Sequence, residues 1–446
     1  MLLWWVVIYG QSVANLGITA TGLFILTTGA ICFWYRHLRV PMLCGAYYLP
    51  LAALNIPSPF VVLVGLVALS VFIGNWNVKK LGHPLMVCFG LLIFLAGISL
   101  LYTSNPYPWK KFLDYVQSGA LLLLLLLLVL SSSDVLRIVG WIALLSALSV
   151  VVSLTHYHLG LEKTYLGIKI YSLLGEEALV GKATLSNLDL TRRYIWAGMD
   201  PNFYGMVLLA GFMASLALWE SKVLKIRGFY LGCLVLNGIG ILGSYSRSAL
   251  VVAAIGVFIY YLSLRKIPLT AVIIGSTLIT TFLIVQPKVL ERIGSIQENF
   301  SETGGTGRLN AARNGIRHWS RFPFGHGIGS AQVDFTPETG GDAGTTHSTY
   351  LEILTELGPQ GLGLFCYMIY YALQRCRMNR KRLDGAHEVF VAGVAANVIT
   401  LVIFVATIPV SQFGIFFVML VVACQKYKSP TPLSLRQDLF NTSPRS

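Results

Sequence analysis

The run ALLLLLLLLVLS at residues 120–131 is almost entirely leucine. No soluble domain exposes such a segment, and it continues on both sides into further apolar runs. The chain of 446 residues is 55% hydrophobic and only 12% charged. Soluble globular domains carry about a quarter charged residues, so the composition places the chain among membrane proteins. A spanning helix needs roughly 20 apolar residues. Candidate spans lie near 14–35, 41–56, 58–77, 84–102, 112–131, 136–155, 196–219, 228–244, 247–264, 267–286, 349–373, 388–408 and 410–424. The expected fold is an all-α polytopic membrane protein with about twelve to fourteen transmembrane helices. It forms one integral membrane domain over 1–446, with no appended soluble domain. No cleavable leader is apparent, because apolar spans continue throughout.

Orientation follows from the basic loops, since cytoplasmic loops are rich in Lys and Arg. The segments 36–39, 79–80, 222–227, 265–266 and 375–382 are short and basic. Counting spans puts all five on one side, read as cytoplasmic. Lys110-Lys111 falls on the other side and is the exception. The net charge of +14 (33 Lys+Arg against 19 Asp+Glu) is largely accounted for by these loops, so nucleic acid is not invoked. The basic residues ahead of His347 are not accounted for in that way and point to a phosphate-bearing partner. The seven cysteines sit in or beside apolar runs without metal-ligand spacing and read as packing residues.

Two longer polar segments then face outward, 155–195 and 287–348. Loops longer than about 15 residues are uncommon without a function. The second contains the stretch 307–361, GRLNAARNGIRHWSRFPFGHGIGSAQVDFTPETGGDAGTTHSTYLEILTELGPQG. Its polar, basic and glycine-rich character contrasts with everything around it. A helix is expected near 309–320, ended by Pro323. Arg313, Arg317 and Arg321 recur every four residues and share one face. The plainer reading of that face is a surface helix with arginines on lipid phosphates.

His347 follows Gly340, Gly341 and Gly344 and directly precedes an apolar helix. An imidazole accepts a proton near neutral pH, which suits a base acting on a hydroxyl. Arg247, in Ser246-Arg247-Ser248-Ala249, stands at the outer end of a span, where an arginine is costly and therefore a functional candidate. Its alternative is snorkelling to the interface. Arg308, after Gly304-Gly305-Thr306-Gly307, could place guanidinium and backbone donors around phosphate oxygens. Asp200-Pro201-Asn202 begins another span from the same side; such residues are commonest as helix caps. Glu352 and Glu356 share a helix face and could orient a polar group or pair with an arginine inside the bundle. Gly325-His326-Gly327-Ile328-Gly329 looks like a nucleotide fingerprint but lacks a strand–helix unit around it. Asp334, Glu338 and Asp342 are scattered, so no metal site and no cofactor is expected.

In order, the chain shows Asp200-Pro201-Asn202, Ser246-Arg247-Ser248-Ala249, Gly307-Arg308 with Trp319, then Pro323-Phe324-Gly325-His326-Gly327, and His347-Ser348 followed after nine residues by Gly358. These motifs resemble the O-antigen ligase and polymerase superfamily of bacterial inner membranes, most specifically in the closing His-Ser-to-Gly spacing of the ligase branch. The resemblance implies a GT-C-like glycosyltransferase with a helical periplasmic loop at 287–348 that carries the catalytic residues. Its donor would be a glycan on undecaprenyl pyrophosphate and its acceptor a sugar hydroxyl of lipid A–core, with inversion and without a metal. Membrane lipids would be its other partners. It also implies His347 as the general base and Arg247 and Arg308 as pyrophosphate ligands. Arg193, Arg313, Arg317, His326, Asp200 and Asn202 are further substrate-binding candidates. Alternatives are a polymerase or a protein O-oligosaccharyltransferase using the same donor, or a transporter of lipid-linked glycans. A transporter should gather its polar groups near the midplane, whereas these gather outside.

Overall fold

A computed structural model describes residues 82–103, 108–128, 132–159, 201–224, 226–244, 246–264, 315–316, 319–333, 348–407 and 414–427. All regular structure among these residues is helical. The helices are α1 (Pro84–Ser99), α2 (Pro108–Leu128), α3 (Ser132–Leu159), α4 (Pro201–Ser221), α5 (Arg227–Gly243), α6 (Arg247–Ser263), the single turn α7 (Ser330–Val333), α8 (Thr349–Arg380), α9 (Gly385–Phe404) and α10 (Gly414–Cys424). Among the described residues, three stretches are long and apolar enough to cross a membrane: Ser132–Val151, Asn202–Ser221 and Gly385–Thr407. The expected spans at 14–35, 41–56, 58–77 and 267–286 lie outside the described residues. The others coincide with helices in their described residues, with three differences. The helix expected at 136–155 spans Ser132–Leu159. The helix expected at 112–131 starts at Pro108, so its first turn carries Lys110 and Lys111. The helix expected at 349–373 runs on to Arg380 and is broken at Gly358.

Local chemistry sets the helix starts. Pro84 and Pro201 occupy first-turn positions, where a missing N–H costs nothing and a fixed φ helps. His83 Nδ1 accepts the Leu85 N–H at 3.3 Å. Ser246 Oγ accepts the Ala249 N–H at 3.4 Å and caps α6.

Helix α4 is the centre of the bundle and touches α3, α5, α6 and α9. Lipid tails are as apolar as the helices, so close approach and polar contacts must hold the bundle. Small residues permit that approach. A Cβ at Gly393 of α9 would stand 2.3 Å from the Ala217 Cβ of α4, and one at Gly211 of α4 would stand 1.7 Å from Ser146 Oγ of α3. Buried amides bridge the same crossings: Asn397 Nδ2 donates to Ala210 O at 3.0 Å, and Asn237 Nδ2 to Ala143 O at 3.3 Å. On the other side α8 packs on α1, α9 and α10. Cys88, Cys233, Cys366, Cys376 and Cys424 are free thiols.

These contacts define two ends of the bundle. At one, Tyr261 OH donates to Glu220 at 3.1 Å, Arg380 reaches Ser263 O at 2.6 Å and Glu388 at 3.1 Å, and Asn379 donates to Gln425 O at 2.6 Å. Arg227, which donates to Trp219 O, and Arg380 both lie at this end, where α6 also ends. At the other end the starts of α2, α4, α6 and α8 assemble with the ends of α1 and α9.

Candidate functional site

This second end is built from motif residues. Ser246 Oγ donates to Asn202 Oδ1 at 3.2 Å, tying the start of α6 to the start of α4. A Cβ at Gly205 would stand 2.9 Å from that of Ala249, so the two helices touch without a side chain between them. Tyr350 OH donates to Val402 O at 2.8 Å and ties the start of α8 to the end of α9. Asn202 and Ser246, separated in sequence, are therefore neighbours at the end where α8 begins. Arg247 is the first residue of α6. Its side chain, together with Asp200, Arg193, Arg308, Arg313, Arg317 and His347, lies outside the described residues. Of the helix expected at 309–320, residues 315–316 and 319–321 are described and helical.

The break in α8 has a clear cause. Pro359 has no N–H to offer the carbonyl of Thr355, and Gly358 leaves the helix at φ 72°, ψ −174°. The orphaned carbonyls are taken up by another segment. The His326 N–H donates to Thr355 O at 2.8 Å and the Gly327 N–H to Glu356 O at 3.0 Å. Gln360 Nε2 returns a bond to Phe324 O at 2.8 Å. The segment fits because Gly325 and Gly327 adopt φ of +93° and +94°. A Cβ at Gly325 would stand 2.5 Å from Glu356 O, so only glycine permits the approach. Its far side is held by α1: the Ile328 N–H donates to Ser99 Oγ at 3.0 Å, and Thr103 Oγ1 to Ile328 O at 2.8 Å. The glycines that mimic a nucleotide fingerprint thus dock a loop into a helix kink. His326 is half-buried and stacks on Phe322, ring centroids 4.1 Å apart. Phe324 beside it is 77% exposed.

Beneath this loop lies a buried charge cluster. Lys111 Nζ forms an ion pair with Glu352 Oε1, the two side chains being 6% and 2% exposed. Glu356, one turn on, is fully buried, and neither carboxylate oxygen closes a hydrogen bond; the Gly329 N–H is directed toward it. Tyr115 of α2 faces the same two glutamates, and Asp114 lies close enough to act on both Tyr115 and Lys111. From sequence, Glu352 and Glu356 could each orient a polar group or pair with an arginine; the partner of Glu352 is Lys111. This also explains why Lys111 departs from the orientation pattern, because it is an interior counterion rather than a loop charge. A lysine off-pattern beside an apolar run, and a Gly-Pro within an apolar helix, are the sequence signals for the cluster and the kink. Among the described residues, no group of His, Cys, Asp and Glu is placed to hold a metal ion.

What the end of the bundle offers chemically is a set of helix starts with backbone N–H groups, an arginine opening α6, and the first turn of α8 immediately after His347-Ser348. Residues 232–366 match the family model described as O-Antigen ligase. The matched segment runs from within α5 into α8. It includes Arg247, Arg308, Arg313, Arg317, His326 and His347, and leaves Lys111, Arg193, Asp200 and Asn202 outside. No curated protein matches the chain.

Proposed function

We propose, from the match of residues 232–366 to the family model described as O-Antigen ligase, that the chain transfers a glycan from undecaprenyl pyrophosphate to a sugar hydroxyl of lipid A–core. The reading is of a GT-C-like enzyme of the bacterial inner membrane with its active site toward the periplasm. His347, as neutral imidazole, takes the proton of the acceptor hydroxyl. The freed oxygen attacks the anomeric carbon and inverts it. The leaving group is a pyrophosphate, so cations can stabilise its charge without an acid to protonate it. Arg247 and Arg308 serve as those cations, with bidentate guanidinium geometry suited to phosphate oxygens. The observation that supports this most is the meeting of the Asn202 and Ser246-Arg247 motifs at the bundle end where α8 begins, one residue after His347-Ser348 opens it.

The distinguishing experiment is reconstitution in liposomes with an undecaprenyl-pyrophosphate-linked glycan. Lipid A–core is offered in one reaction and only further donor in the other. A glycan joined to lipid A–core is the expected product. Chain extension on the donor lipid, with no transfer to lipid A–core, would replace the ligase reading with a polymerase.

A further inference from the structure

We propose that the Lys111–Glu352 ion pair is a positioning device for His347: it anchors to α2 the first turn of α8, which follows His347 directly in the chain. The proposal rests on His347 being the base. The N-terminal piece of α8 is short, from Thr349 to the break at Gly358. A piece of that length has little stability of its own and can rotate or slide unless fixed at two levels. The lower level is the loop, whose N–H groups hold the carbonyls of Thr355 and Glu356. The upper level is Glu352, about one turn nearer the start. The Glu352 N–H donates to Ser348 O at 2.9 Å, the residue adjoining His347. Anchoring the Glu352 side chain on Lys111 therefore ties to α2 the helical turn that runs on from Ser348.

The pair is buried, and the lysine comes from a different helix, so its two side chains are occupied with each other. It acts through His347 and does not itself meet the sugar. A buried ion pair gives little net stability over an apolar pair but imposes one geometry. That property suits a positioning role.

Glu352→Asp keeps the charge and shortens the reach by one methylene. The test is transfer kinetics of the full-length Glu352→Asp protein in liposomes, with an undecaprenyl-pyrophosphate-linked glycan and lipid A–core. Displacement of a catalytic group by around 1 Å costs about a hundredfold. The expected result is a kcat lower by about tenfold to a hundredfold, with donor KM within about twofold. The pair Lys111→Met with Glu352→Gln, which removes both charges at similar volume, should show the same split. Wild-type kcat in either folded variant overturns the proposal, as does a raised KM with unchanged kcat. Failure of both variants to fold also overturns it, because the pair would then be structural only. His347→Ala is measured alongside. If it is inactive while Glu352→Asp is fully active, positioning alone fails; if His347→Ala is active, the base assignment fails.

Discussion

Lys111→Met should be the most destabilising conservative change at the charge cluster. The lysine faces two carboxylates one helical turn apart, Glu352 and Glu356, and all three groups are buried. Removing it leaves two acidic side chains in a water-poor space with no cation among them. Breaking a buried ion pair from one side costs about 3–5 kcal/mol. Glu352→Gln is milder, because Lys111 still has Glu356 to face; loss of a charged hydrogen bond costs about 1.5–3 kcal/mol. Combining the two should fall short of the sum by about 0.5–3 kcal/mol, the range for residues in direct contact. The assay is equilibrium unfolding of purified full-length protein in mixed micelles titrated with a denaturing detergent. The expected order of stability is wild type, then Glu352→Gln, then Lys111→Met, with a non-additive double variant. Wild-type stability of Lys111→Met, or strict additivity, would refute the assignment of Lys111 as counterion.

Gly358→Ala places a Cβ 2.7 Å from the Phe324 carbonyl at a backbone angle open in practice only to glycine. It should cost about 1–3 kcal/mol in backbone strain and push the loop off the kink, read as faster tryptic cleavage at the exposed Arg321; unchanged cleavage would contradict the docking. Arg247→Ala and Arg308→Ala should each weaken use of the lipid-pyrophosphate donor, and wild-type rate and donor affinity in both would remove the pyrophosphate role. Transfer should continue in EDTA, whereas complete loss restored by magnesium would overturn the metal-free mechanism.

Much of the helical scaffold was legible because apolar runs of the right length have one solution in a bilayer. The span expected at 247–264 coincides with α6, and Asp200-Pro201-Asn202 marks the start of a span where α4 is described from Pro201. Gly358-Pro359 signals a break, but its consequence was not legible, since it depends on which distant segment supplies the missing N–H groups. That segment, 324–327, is joined to α8 only through tertiary contact. Lys111 was visible as an anomaly of charge placement, but its partner was not, because pairing α2 with α8 requires the packing of two helices far apart in sequence. Glu352 and Glu356 were recognisable as one helix face, although nothing local distinguishes an arginine from a lysine as the group opposite.

The most direct measurement is transfer by His347→Ala in liposomes containing an undecaprenyl-pyrophosphate-linked glycan and lipid A–core, with folding checked by detergent unfolding of the same preparation. A folded variant with no glycan joined to lipid A–core is the predicted result. A folded variant that transfers at the wild-type rate would contradict proton abstraction by this imidazole, and the proposed chemistry with it.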